Sequence, residues 1–146
     1  MTTVLDEDAK VRIQTACAML VAHYGHLADQ REHRAFAELF APDGEWIRPG
    51  MHMRGRDEIF SFMDARPAQA FTRHVVGSIY IEPIDADHAH GLSYTTVYRE
   101  RNFQGKLPVP LAQPEMVVDY RDEYVRLQGR WYIRKRHATV IFSDKA

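Results

Sequence analysis

The chain has 146 residues, a length that suits one ordinary domain with a substantial core. Hydrophobic residues make up 45% of it and charged residues 27%, which excludes an intrinsically disordered chain. The formal net charge of -1 gives no bulk electrostatic attraction to nucleic acid or to an anionic membrane. Cys17 is the only cysteine, so an intrachain disulfide and a cysteine-rich zinc module are excluded.

The first elements in the chain are predicted to be helices. Acidic residues 6–8 precede apolar residues that recur at spacings of three and four, which predicts one helix with a buried stripe. A second helix is expected over residues 31–40, before a turn at residues 42–44, and a third over residues 56–65. The stripe of the first helix consists of Ile13, Cys17, Leu20, Tyr24, Leu27 and Ala28, so Cys17 is expected to be a buried structural thiol.

The remaining elements have strand character. Residues 45–48 are expected to form a short strand that turns at Pro49-Gly50. Four longer strands follow over residues 72–84, 88–101, 116–127 and 131–142, and the last two are joined by a turn at Gly129-Arg130. Helices first and antiparallel strands after them predict an α+β fold with the helices on one face of the sheet. We see no linker or repeat, so one domain is expected over residues 1–146.

A histidine lies in the middle of the strand over residues 72–81. On a period of two, His74, Val76, Ser78 and Tyr80 share one face of this strand. If the sheet curves around a pocket, His74 is placed to act as a general base. The alternative is a core histidine satisfied by one hydrogen bond.

Other polar clusters receive plainer interpretations. Two histidine pairs are expected to be solvated: His88 and His90, because no third metal ligand presents itself, and His23 and His26, because no acidic partner lies near them. A basic run near the C-terminus alternates with aromatic residues, and overall neutrality favours a solvated face over nucleic-acid binding. This run consists of Arg130, Arg134, Lys135 and Arg136.

The order of these elements resembles the SnoaL-like branch of the nuclear-transport-factor-2-like superfamily. The motifs are "LFAPDGEW", the third helix, "TRHVVGS" and the strands that end "YVRLQGRWYIRKR". The resemblance covers nearly the whole chain and implies a conical, barrel-like fold. In that fold about three N-terminal helices pack on a strongly curved, mostly antiparallel sheet that encloses an apolar pocket. It also implies a homo-oligomer, a dimer or a trimer.

Within the superfamily the chain looks most like cofactor-free lyases such as scytalone dehydratase, the bile-acid 7α-dehydratase and the hexachlorocyclohexane dehydrochlorinase. The resemblance implies that His74 is a catalytic base, that Asp29 orients it and that Tyr24 is an electrophile, with no cofactor and no metal. Taken singly, Asp29 could instead end a helix or pair with Arg31, and Tyr24 could be a core aromatic residue.

The resemblance and these alternatives leave three functions open. The first is a dehydratase-like lyase that removes a proton next to a carbonyl group and eliminates water. The second is an isomerase or polyketide cyclase that uses the same pair. The third is a non-catalytic ligand-binding or dimerisation module, like the small subunits of ring-hydroxylating dioxygenases.

The ligand is expected to be a flat, hydrophobic small molecule, aromatic or polycyclic, because many candidate lining residues are aromatic or apolar. Strand parity does not decide which of them face inward. Residues 1–10 are polar, and no run approaches ~18 apolar residues, so we expect no signal peptide, no membrane span and a cytoplasmic protein. The candidate substrate-binding residues are Trp46, Met53, Phe62, Tyr94, Val118 and Tyr120.

Overall fold

Three helices pack against one six-stranded sheet in the computed structural model, which describes residues 4–145. Residues 1–3 and 146 lie outside the described residues. The predictions of a polar N-terminal segment and of one domain over residues 1–146 include these residues. The helices are α1 (Glu7–Asp29), α2 (His33–Ala37) and α3 (Gly55–Asp64). The strands are β1 (Phe40–Arg48), β2 (Met51–Arg54), β3 (Phe71–Asp85), β4 (His88–Glu100), β5 (Met116–Leu127) and β6 (Arg130–Ser143).

The strands form one open, mixed sheet in the order β2-β1-β6-β5-β4-β3. Neighbouring strands run antiparallel except for β1 and β6, which run parallel. This arrangement confirms the α+β prediction with a mostly antiparallel sheet. None of the helices within residues 4–145 is both long and apolar enough to cross a membrane.

Helix α1 lies along the sheet and buries the stripe that the sequence predicts. Asp6 caps its N-terminus, because its carboxylate accepts a hydrogen bond of 2.7 Å from the Ala9 amide. The buried side includes Ile13, Tyr24 and Leu27, and Val21 and Gly25 join them. Cys17 is fully buried; burial, helped by the charge of Asp122, raises its pKa to about 12, so the thiol is inert.

The main differences from the sequence prediction lie between α2 and β1 and at the turn between β5 and β6. Helix α2 ends at Ala37, because Phe40 already pairs with Ile133 in β6, and residues 42–44 form an irregular part of β1 rather than a separate turn. The β5–β6 hairpin turns at Gln128-Gly129, one residue earlier than expected. Both residues have positive φ, 50° and 80°, which is what a two-residue hairpin turn of the favoured twist requires.

A bulge in β3 changes which residues face inward. Thr72, His74 and Val76 face the helices, and alternation correctly predicts that His74 and Val76 share a face. Ser78 then adopts a positive φ of 50°, and the pairing with β4 shifts between Gly77 and Tyr80. As a result Ile81 is buried whereas Tyr80 is exposed, so the expected common face ends at Val76.

Candidate active site

Asp29 and His74 form a hydrogen-bonded pair between the end of α1 and the first half of β3. The Asp29 Oδ1 atom lies 2.6 Å from His74 Nδ1, and Asp29 Oδ2 accepts the backbone N–H of His74 at 2.9 Å. The Thr72 hydroxyl donates a third hydrogen bond to Asp29 Oδ1 at 2.8 Å. Both side chains of the pair are nearly buried, with 9% of Asp29 and 11% of His74 exposed. The expected alternative partner, Arg31, instead donates to backbone carbonyls of residues 66 and 70.

These contacts keep the Asp29 carboxyl ionised. Burial alone would raise its pKa, but the hydrogen bonds and charge of His74, together with the hydrogen bond from Thr72, lower the pKa overall. A carboxylate can only accept hydrogen bonds, so His74 Nδ1 carries the proton in this contact. His74 Nε2 is then the nitrogen with the free lone pair in the neutral ring, which is the form that a general base requires.

Gly25 allows α1 to lie this close to β3. A β-carbon at residue 25 would lie 3.4 Å from His74 Cβ and 3.4 Å from a methyl group of Val76. The helix therefore comes closest to the strand at a residue without a side chain, one turn before Asp29. The same glycine that weakens the helix locally brings the Asp29 carboxylate within reach of His74.

Tyr24 and Tyr120 bring two phenol groups to the cavity that His74 lines. Their oxygens are 3.4 Å apart, and both side chains are buried. Burial raises the pKa of Tyr24 well above its usual range, with the neighbouring Tyr120 adding to the effect. The Tyr24 hydroxyl therefore keeps its proton and can donate it in a hydrogen bond to a ligand.

Arg136 lies between these two tyrosines, which corrects the expectation that it belongs to a solvated face. It is fully buried, and its guanidinium carbon is 4.2 Å from the Tyr24 ring centroid and 4.1 Å from that of Tyr120. Its Nε and Nη2 atoms donate to the two oxygens of Asp122, at 2.8 and 2.7 Å. The Tyr124 hydroxyl donates to the same carboxylate at 2.7 Å.

The signal that could have found this network is in β5. Asp122 has the same parity as Val118, Tyr120 and Tyr124, all of which are buried. A carboxylate on an apolar strand face requires a cationic partner, and Arg136 lies directly opposite it on β6. Burial alone would lower the pKa of Arg136, but Asp122 raises it well above the usual range, so the guanidinium is permanently charged.

The candidate substrate-binding residues divide into three groups. Trp46, Val118 and Tyr120 line the cavity together with Tyr24 and His74. Phe62 packs edge-on against Trp46, with ring centroids 5.4 Å apart, and lines an adjoining outer chamber. Met53 is buried in the core without lining the cavity, and Tyr94 is half exposed on the opposite face of the sheet, so the structure does not support a lining position for either.

The size of the cavity limits what can lie beside His74. The inner cavity has a volume of about 60 Å³, whereas ligand sites for drug-sized molecules usually measure about 300–1,000 Å³. The outer chamber adds about 290 Å³. The space beside His74 is therefore large enough for one end of a drug-sized molecule only. Both spaces are lined by three arginines that no sequence motif marks, Arg48, Arg66 and Arg99.

The part of the chain that the structure describes, residues 4–145, brings no group of three or more His, Cys, Asp or Glu side chains together in a way that could hold a metal ion. His23, His26, His88 and His90 are exposed. His88 Nδ1 contacts Asp85 at 2.9 Å near the turn between β3 and β4.

Solved structures similar to this chain share its fold. A protein from Novosphingobium aromaticivorans DSM 12444 named "Putative Scytalone Dehydratase" matches with a TM-score of 0.82 and 18% identity, over 97% of this chain and 92% of that one. A hexachlorocyclohexane dehydrochlorinase, LinA Type2, matches with a TM-score of 0.77 and 16% identity, over 94% and 90% of the two chains. ActVI-ORFA from Streptomyces coelicolor matches with a TM-score of 0.74 and 20% identity, over 88% and 97%.

Comparison with the sequences of curated proteins gave no significant match. At identities below 25%, the structural matches establish the fold alone, a cone-like α+β fold that two of the matching structures name cystatin-like. The family model described as a SnoaL-like domain matches residues 9–137, most of the chain. The protein therefore belongs to the SnoaL-like family.

Proposed function

We propose that the protein is a cofactor-independent lyase of the dehydratase type. The observation that supports this function best is the Asp29–His74 pair, whose oxygen and nitrogen are 2.6 Å apart, at the wall of a cavity that Tyr24 also lines. A histidine with one nitrogen fixed by a carboxylate and the other facing a ligand can accept and return a proton. The proposed substrate is a hydrophobic small molecule with a carbonyl group.

The proposed reaction is a β-elimination in which His74 acts twice. His74 Nε2 takes the proton from the carbon next to the carbonyl, and the C–H electron pair becomes the enolate. The enolate then reforms the carbonyl and expels the β-hydroxyl group, which takes the proton from His74 and leaves as water. A carbon–carbon double bond results, and the imidazole returns to its neutral state.

Asp29 and Tyr24 stabilise the charges that develop during this sequence. The Asp29 carboxylate favours the imidazolium form of His74 after proton transfer. The Tyr24 hydroxyl donates a hydrogen bond to the enolate oxygen, which is an electrophilic role in a dry site. The charged Arg136 guanidinium, in contact with the Tyr24 ring, favours negative charge at that oxygen.

The same first step would serve an isomerase or a polyketide cyclase, which differ only in the fate of the enolate. Return of the proton to another carbon gives isomerisation, whereas attack of the enolate on a second carbonyl gives cyclisation. The product formed by the wild-type protein therefore distinguishes these three reactions.

The test is deuterium exchange followed by NMR in D₂O, on a panel of hydrophobic β-hydroxy ketones and cyclic enones. We expect the wild type to exchange or eliminate the α-proton, and His74→Ala to lose about 10²- to 10⁴-fold in rate while remaining folded by circular dichroism. His23→Ala, an exposed histidine on α1, is the matched control and should keep the wild-type rate.

Two results would contradict the proposal. One is a His74→Ala variant as active as the wild type. The other is a wild type that binds members of the panel without changing any of them, which would favour the ligand-binding or dimerisation module.

A further inference from the structure

Three arginines form the boundary between the inner cavity and the outer chamber. Arg48, Arg66 and Arg99 line both the space of about 60 Å³ beside His74 and the space of about 290 Å³ outside it. A ligand that extends outward from His74 must therefore pass these guanidinium groups. The residues that line the inner cavity include no acidic side chain.

The three charges are not equally compensated. Arg99 Nε donates to Glu115 at 2.7 Å, and Arg101 binds the other oxygen of the same carboxylate. Within residues 4–145, neither Arg48 nor Arg66 forms an ion pair with a carboxylate. Two guanidinium groups are therefore available to an anion from solution.

Arg48 and Arg66 are both held in position while their N–H groups remain available. The Arg48 guanidinium lies over the rings of Trp46 and Phe62, 5.1 and 4.9 Å from their centroids. Cation–π contacts of this kind hold the guanidinium near the rings without using its N–H donors. Arg66 has one long hydrogen bond of 3.5 Å, from Nη1 to the Ala28 carbonyl.

Arg66 lies near other cationic side chains. Burial lowers the pKa of its guanidinium, the charges of Arg99 and Arg31 lower it further, and Tyr24 and Asp29 offset only part of this effect. Arg48 and Arg66 are each partly buried, so water compensates their charges only in part. An anion between these groups would relieve the repulsion and form charge-assisted hydrogen bonds.

We propose that the substrate carries a carboxylate group, which Arg48 and Arg66 bind at the boundary while the reacting carbon lies beside His74. The apolar walls formed by Trp46, Phe62 and Met116 indicate that the rest of the ligand is hydrophobic. A carboxylate suits this boundary better than a phosphate ester, because a monoanion costs less to remove from water. The description of this ligand as a substrate rests on the proposed function.

The test is a binding measurement that requires no turnover. Isothermal titration calorimetry compares benzoate and 2-naphthoate with their primary amides, which have the same shape without the charge, and with 2-naphthyl phosphate. We expect a carboxylate to bind the wild type about tenfold more tightly than its amide at low salt, and this advantage to shrink as ionic strength rises.

Arginine variants test whether Arg48 and Arg66 cause the preference for a carboxylate. Arg48→Gln with Arg66→Gln should abolish the preference for the carboxylate, and circular dichroism checks that the double variant folds. Arg121→Gln, which removes an exposed arginine on the other face of the sheet, is the matched control and should keep the preference. His74→Ala should also keep it, because the anion is bound away from the base.

Several outcomes would overturn the inference: amides that bind as tightly as carboxylates in the wild type, a folded double variant that keeps the preference, or a naphthyl phosphate that binds more tightly than naphthoate. Turnover of neutral ketones without any preference for carboxylates would refute this inference and leave the proposed function intact. A carboxylate preference in a catalytically inert protein would refute the proposed reaction and leave the anion site intact.

Discussion

The Asp29 carboxylate makes the contact between α1 and β3 sensitive to pH. Its pKa in the folded protein is lower than its value in an unfolded chain, near 3.9 for aspartate. The ionised form therefore stabilises the fold above about pH 4, and this contribution is lost as the pH falls through the folded-state pKa. Stability that depends on Asp29 should thus be present at neutral pH and absent in acid.

We predict that Asp29→Asn lowers the free energy of unfolding by about 1–3 kcal/mol at pH 7, because buried donors on His74 and Thr72 lose a charged acceptor. The difference from the wild type should shrink as the pH falls below about 4. Urea unfolding at several pH values measures it, with the exposed Asp144→Asn as control. A difference that stays constant from neutral pH to about pH 3 would contradict the prediction.

Thr72 is a positioning residue, because its hydroxyl donates a hydrogen bond to Asp29 and its side chain does not line the cavity. Burial raises the pKa of Asp29, whereas the hydrogen bonds from His74 and Thr72 lower it. Thr72→Val keeps the shape of the side chain and removes its donor, so we predict that the pKa of Asp29 rises, as measured by carbon-13 NMR of its carboxyl group. Thr72→Ser should restore the lower pKa. An unchanged pKa in the valine variant would show that the hydroxyl has no such effect.

At the scale of elements, the site depends on how closely α1 approaches β3 at Gly25. Alanine at residue 25 would improve the intrinsic helix propensity by about 1 kcal/mol, and its β-carbon would contact His74 Cβ at 3.4 Å. These effects oppose each other, so Gly25→Ala should be close to neutral. Any larger side chain meets the strand and separates the two elements.

We predict that Gly25→Val destabilises the protein by about 1–3 kcal/mol, because its branches must displace His74 or Val76. Urea unfolding gives the free energy, and the proton chemical shift of the His74 ring reports whether the hydrogen bond to Asp29 survives. Met19→Val, at an exposed position of the same helix, accounts for the cost of a β-branched residue in a helix. Since valine has a higher helix propensity than glycine, a Gly25→Val variant as stable as the wild type would refute a role for close packing at Gly25.

Patterns within single elements predicted the parts of the fold that depend on one strand or helix alone. The stripe of α1 follows from a period of 3.6 residues, and the face that His74 shares with Val76 follows from a period of two. Alternation failed at Ser78, because a bulge there shifts the pairing with β4, and the sign of it in β3 is the glycine directly before it, Gly77. Likewise, α2 is shorter than predicted because Phe40, the last residue of the predicted helix, belongs to β1, whose partner β6 is about 90 residues away in the chain.

At the scale of the whole molecule, the candidate site combines residues from distant parts of the chain. Tyr24, Asp29 and His74 were predicted from a family resemblance, and the structure brings them to one cavity or to its wall. Arg136 was missed, because its burial depends on Asp122 across a strand pair whose register the sequence does not reveal. The homo-oligomeric state, a dimer or a trimer, stays a prediction that light scattering would check.

The Asp122–Arg136 pair provides a test of how much burial changes the contribution of an ion pair to the free energy of unfolding. Both side chains are completely buried, and the pair is bidentate. The Arg134–Asp43 pair joins the same two residue types at 3.8 Å, with 53% of the arginine and 78% of the aspartate exposed. In water, such a pair contributes about 0–1 kcal/mol, because solvent screens it and two long side chains must be ordered.

We predict that Asp122→Asn lowers the free energy of unfolding by about 3–5 kcal/mol, whereas Asp43→Asn lowers it by less than about 1 kcal/mol. The large loss arises because Arg136 would remain charged among the rings of Tyr24 and Tyr120 without a counter-ion. Denaturant unfolding of the two variants at neutral pH measures both values. The double variant Asp122→Asn with Arg136→Met, which removes the stranded charge, should recover part of the loss. If it does not, the loss comes from packing around Asp122 rather than from the uncompensated guanidinium.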